Sequence, residues 1–118
     1  MKSILSAMVV IATSPMMSLP AQAHAYLVDS FPAAKQRLHA PLKTVKLRFS
    51  GRADAHYSTI SLLREDGAVL ATRTQPKAQR EFDLPAPPLE PGRYRVHYRI
   101  LSVDGDLVQG ELDFIVEE

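Results

Sequence analysis

Four histidines, His24, His39, His56 and His97, carry most of the metal-binding chemistry this chain could perform. There is no cysteine, which excludes zinc–thiolate sites, iron–sulfur clusters and thiol nucleophiles. Ser30, Ser50, Ser58, Ser61 and Ser102 lack a Gly-x-Ser-x-Gly context, and no carboxylate pair stands out as an acid/base couple, so the chain reads as not an enzyme. His24 is different because of what precedes it. Ala21-Gln22-Ala23 has the small-x-small form that signal peptidase accepts. A cut after Ala23 would leave a histidine with a free α-amino group beside its imidazole. The amine and Nδ1 can close a small chelate ring on one metal. The α-amino pKa of about 7.7–8.0 makes its proton easy to displace at neutral pH. Two nitrogen donors in a plane suit Cu²⁺, which stands highest among the divalent first-row metals.

The segment before His24 supports that cut. Lys2 gives a positive start, Ile4 to Ala12 is apolar apart from Ser6, and Pro15 and Pro20 follow. The run is too short to span a bilayer, which needs about 20 residues. Residues 1–23 are therefore expected to be a cleaved export signal and residues 24–118 one domain of 118 − 23 = 95 residues. Lys2 leaves with the signal, so the remainder has 14 − 1 = 13 basic and 13 acidic residues. That balance gives no support to nucleic-acid binding, which wants a basic excess. Met1, Met8, Met16 and Met17 also leave, which removes any thioether site for Cu⁺. Without disulfides, an exported domain of this size depends on its core alone.

The elements that must position these residues are strands, because the apolar period is two. In Thr44 to Phe49, Val45, Leu47 and Phe49 alternate with polar residues. Ser58 to Leu63 is a second expected strand, Asp66-Gly67 a tight turn and Val69 to Thr74 the return strand. Residues 85–92 form a proline-rich connection that no central strand could contain. In the final hairpin, Tyr94, Val96, Tyr98 and Ile100 lead through Asp104-Gly105-Asp106 to Leu112, Phe114 and Val116. A register in which paired numbers sum to 210 sets Tyr98 against Leu112 on the core side. On the solvent side it sets Arg99 against Glu111, His97 against Asp113 and Arg93 against Glu117. A sum of 208 keeps the same faces; an odd sum would not. About seven short strands without a helical stretch predict a β-sandwich.

HAYLVDSFPA at 24–33, KLRFS at 46–50, LEPGRYRVHYRILSVDGD at 89–106 and GELDFIV at 110–116 together resemble the CopC family of periplasmic copper-resistance proteins. The resemblance runs along the whole of 24–118. It implies an Ig-like Greek-key β-sandwich in the periplasm that binds Cu(II) through an N-terminal histidine and an Asp-x-His pair. A CopD-type membrane protein is the implied partner, and a monomer is expected. Matched by position, His24 and Asp104 keep the family's ligands. Asp106 replaces the second histidine, and Gly51 stands where the family has a glutamate after Phe-Ser. The expected metal ligands are therefore His24, Asp104 and Asp106, in a Cu(II) site weakened by the lost imidazole. Asp104 and Asp106 could instead serve only to shape the turn. Of the other histidines, His56 is the best substitute ligand, His97 is explained by its strand pairing, and His39 sits in a loop. Two rival readings are a metal-free Ig-like adaptor of the cell envelope and a histidine-brace copper oxidase.

Overall fold

The computed structural model describes residues 25–118, which form two sheets packed face to face. The strands are β1 (Leu27–Phe31), β2 (Arg37–Leu38), β3 (Thr44–Ala53), β4 (Thr59–Arg64), β5 (Val69–Thr74), β6 (Gln79–Pro85), β7 (Gly92–Leu101) and β8 (Leu107–Val116). One sheet has the order β1-β3-β6 and the other β2-β8-β7-β4-β5. This is the expected Ig-like Greek-key sandwich, with eight strands rather than about seven. The expected strands at 44–49, 58–63 and 69–74 are β3, β4 and β5. Arg64, Asp66 and Ala68 form the turn between the last two. Strands β1, β2 and β6 escape a reading by alternation. β1 buries no alternate face, β2 is two residues long, and β6 shows only Phe82 and Leu84 as alternating apolar positions.

The apolar residues that alternate in the sequence fill the space between the sheets. Val45, Leu47 and Phe49 meet Tyr94, Val96, Tyr98, Ile100, Leu112, Phe114 and Val116 there, all at 9% exposure or less. Each large apolar side chain so buried contributes on the order of 1.5–3 kcal/mol. Tyr94 stacks on Phe114, and its hydroxyl donates to the Glu90 carbonyl at 2.5 Å. That bond ties the start of β7 back to the proline-rich connection, the arrangement Ig-like sandwiches use at this corner.

The hairpin register sums to 208, not 210. Tyr94 faces Phe114, Val96 faces Leu112 and Tyr98 faces Gly110. On the outer face His97 therefore lies opposite Glu111, Arg95 opposite Asp113 and Arg99 opposite Gln109. The three solvent-side pairs expected from a sum of 210 are not formed. Arg95 instead holds both Glu111 and Asp113, each at 3.3 Å, and Glu117 pairs with Arg37. The physical reason lies at Gly110. A Cβ built there would stand 2.3 Å from Tyr98 Oη and 2.5 Å from Cζ, so the ring occupies the space of the missing side chain. From that seat Tyr98 meets Phe49 edge-on, centroids 5.4 Å apart, and joins the two sheets.

Candidate metal centre

One pole of the sandwich gathers the chain entry, the β3–β4 connection and the β7–β8 turn. The Ser50 N–H donates to the Tyr26 carbonyl at 2.8 Å, and the Tyr26 N–H to Ser50 Oγ at 3.1 Å, which pins the start of the described chain onto β3. Three residues further along β3, Ala53 bridges Ser102, and the Val103 N–H reaches the Arg52 carbonyl at 3.2 Å. Three strand residues span about 10 Å. The Asp54 N–H closes the same corner onto the Leu101 carbonyl at 2.7 Å. Buried Ser58 holds both backbone groups of Leu101 through its hydroxyl.

The turn that carries Asp104 and Asp106 is built around Ser102. This buried serine accepts, through Oγ, the backbone N–H of Asp104 at 3.3 Å and of Asp106 at 3.2 Å. Its own N–H donates to the Asp106 carbonyl at 2.8 Å, and the Gly105 N–H donates to the Ser102 carbonyl at 2.9 Å. Gly105 sits at φ 95°, in the left-handed region that glycine enters without steric cost. Ser102 and Gly105 thus do the shaping that the sequence left open for the aspartates. The Asp104 carboxylate is exposed and has no partner among the described residues. Asp106 is half-buried beside it.

His24 and the expected signal 1–23 lie outside the described residues. His56 is exposed at the same pole, at φ 74°, its N–H bonded to the Gln75 carbonyl at 3.0 Å. Among the described residues, no three histidine, aspartate or glutamate side chains come together to hold a metal. Asp104, Asp106 and His56 do not make a site by themselves. His97 is on the outer face between Ser61 and Glu111, four residues from the end of β7, or about 13 Å away. His39 lies near Glu117 at 3.4 Å, at the far end of β8 and about 30 Å from the turn. Sequence reasoning missed Ser102 and Ser50, the two hydroxyls that organise this pole. It also missed an apolar rim of Tyr26, Tyr57, Val103 and Leu107, which are 54%, 68%, 45% and 48% exposed. Only the position of Ser102 beside an Asp-Gly-Asp turn could have signalled the first.

A two-sheet sandwich of this topology defines a class of small Ig-like all-β domains. The chain belongs to the CopC family: the CopC domain matches residues 27–117. Among solved structures it is similar to CopC from Methylosinus trichosporium OB3b. The two are 42% identical with a TM-score of 0.74 over 80% of this chain and 94% of that one. It is also similar to PcoC, a methionine-rich copper resistance protein from Escherichia coli, at 25% identity and a TM-score of 0.68, covering 80% and 99%. Protein YobA of Escherichia coli strain K12 is 28% identical over 111 residues, 91% of this chain and 90% of YobA. The family comprises periplasmic copper-binding and copper-trafficking proteins rather than enzymes, and this chain is accordingly not an enzyme.

Proposed function

We propose that this protein is exported to the periplasm, begins at His24 once residues 1–23 are removed, and carries Cu²⁺ as cargo. His24 supplies its amine and imidazole nitrogens, Asp104 a carboxylate oxygen, and Asp106 a carboxylate where the family has imidazole. The site is weaker than one with two histidines, because carboxylate oxygen is a poorer donor to Cu²⁺ than imidazole. The observation that carries this reading is the convergence of the β7–β8 turn with the chain entry. Two residues of extended chain before Tyr26 reach up to about 7 Å, and Tyr26 is fastened to Ser50 near the Ala53–Ser102 bridge. The outward, unpartnered carboxylate of Asp104 supports it. The apolar rim around this pole suits the surface that a membrane partner of the CopD type would cover while receiving copper. The protein acts as a monomer.

The test is intact mass spectrometry of the exported protein, followed by a Cu²⁺ titration. The expected mass is that of residues 24–118, with one Cu²⁺ bound. One extra residue before His24 should abolish the tight binding, because the chelate needs the terminal amine. A mature mass that retains Ala23 or lacks His24 overturns the site. A correct mass without copper binding favours the metal-free adaptor. Copper-dependent peroxide formation would favour the oxidase.

A further inference from the structure

We propose that a groove on the outer face of the five-stranded sheet, at the pole away from Asp104, binds an extended acidic segment of a partner polypeptide. The groove has a volume of about 410 Å³ and is walled by Lys35, Arg37, Arg93 and Arg95, with Glu65 and Asp113 as its acids. Ile115 is its apolar floor. One register row places Ile115 between Arg93 on β7 and Arg37 on β2, so an aliphatic spot lies between two guanidiniums. The Lys35 N–H donates to the Asp113 carbonyl at 2.6 Å, which holds Lys35 along the groove wall.

The four cations are not equally committed. Arg37 is held by Glu117, and Arg95 by Glu111 and Asp113. Exposed Lys35 and Arg93 have no acidic partner among the described residues. Residues 24–118 carry 13 basic and 13 acidic side chains, so this local surplus comes from placement and not from composition. Two unspent cations beside an apolar floor match a strand of alternating carboxylates with an aliphatic residue between them. The other sheet offers a contrast. There the register sets Lys46 opposite Asp83 and Arg48 opposite Glu81, and Arg48 also pairs with Asp29 at 3.7 Å, so carboxylates neighbour both cations. The groove lies six to eight strand residues from the β7–β8 turn, about 20–25 Å, so a partner gripped here leaves the opposite pole open.

The probe is the pentapeptide Glu-Glu-Leu-Glu-Glu, capped at both ends, with its Kd and its footprint measured by NMR titration on the full mature chain. Binding should move the amide signals of Lys35, Arg93 and Ile115. It should weaken several-fold between about 20 and 200 mM salt, because screening acts on exposed charges. Lys35→Gln with Arg93→Gln should weaken it at least about tenfold, since rim charges steer and hold a complementary segment. Lys46→Gln with Arg48→Gln should leave it unchanged. Thermal melts of both double variants confirm that they fold. The inference is overturned if the peptide does not bind, if the groove variant binds it equally, or if only anionic phospholipid vesicles bind. None of these outcomes depends on copper.

Discussion

At the scale of single residues, the pole near the chain entry turns on a division of labour. Ser102 satisfies the backbone amides of the turn, and the exposed Asp104 carboxylate is left for other work. Asp106→His then becomes an informative test of the proposed site, because the CopC resemblance implies an imidazole at that position. Changes around metal ligands commonly alter affinity 10–100-fold, and a regained nitrogen donor should raise Cu²⁺ affinity by at least about that factor. A competitive titration checks this, and the gain should vanish when a residue precedes His24. Unchanged affinity would mean that the turn does not face the N-terminal chelate. Asp66 shows a second residue-level effect. The Arg64 guanidinium, bonded to its carboxylate at 3.1 Å, and then the Ala68 N–H hold its pKa below the ordinary carboxylate value. A lowered folded-state pKa stabilises the fold above the unfolded value of about 4 and loses that contribution as pH falls through the folded one. Asp66→Asn should therefore lower the melting temperature slightly at pH 7 and have no effect at about pH 2.

At the scale of elements, the β7–β8 hairpin rests on a tyrosine laid over a glycine. Gly110→Ala would push a methyl into the Tyr98 ring and force it off Phe49, at a cost of about 1–3 kcal/mol for overpacking. Tyr98→Ala should cost about 3–5 kcal/mol, the range for truncating a large buried aromatic. His97→Ala should cost less than about 1 kcal/mol, because that side chain stands on the outer face. Urea unfolding of the three variants checks the order. A His97→Ala loss equal to that of Tyr98→Ala would contradict the facing of the strand. The faces of this hairpin were legible from alternation. Its register was not, because sums of 208 and 210 preserve the same faces. The choice depends on a contact between residues twelve positions apart in the chain.

At the scale of the whole molecule, the sheets are joined at one side by Gln75 as well as by the core. This side chain is buried, and its amide donates to the Glu81 carbonyl at 3.0 Å and to the Gln79 carbonyl at 3.4 Å. Its backbone N–H is held by the Ser58 carbonyl at 2.8 Å. Arg73 adds a bond to the Asp83 carbonyl at 3.0 Å, so the bonding groups of β6 beside β5 are covered. Gln75→Ala removes both part-buried bonds to β6 and should cost about 1–3 kcal/mol, with faster amide exchange along β6. A loss below about 0.5 kcal/mol would show that the core alone holds the two sheets together.

The sequence by itself determined the fold class, the inward faces of β3, β7 and β8, and the candidate role of His24. Each of these rests on local information: a period of two, a turn dipeptide, or a residue beside a cleavage motif. What the tertiary structure alone decided is where the separate pieces meet. Ser50 meets Tyr26 across 24 positions, Ala53 meets Ser102 across 49, and Arg93 and Arg37 flank one isoleucine. No pattern along the chain encodes such meetings, because each depends on two sheets packing in one register. That packing is set by the volumes of many buried side chains acting together.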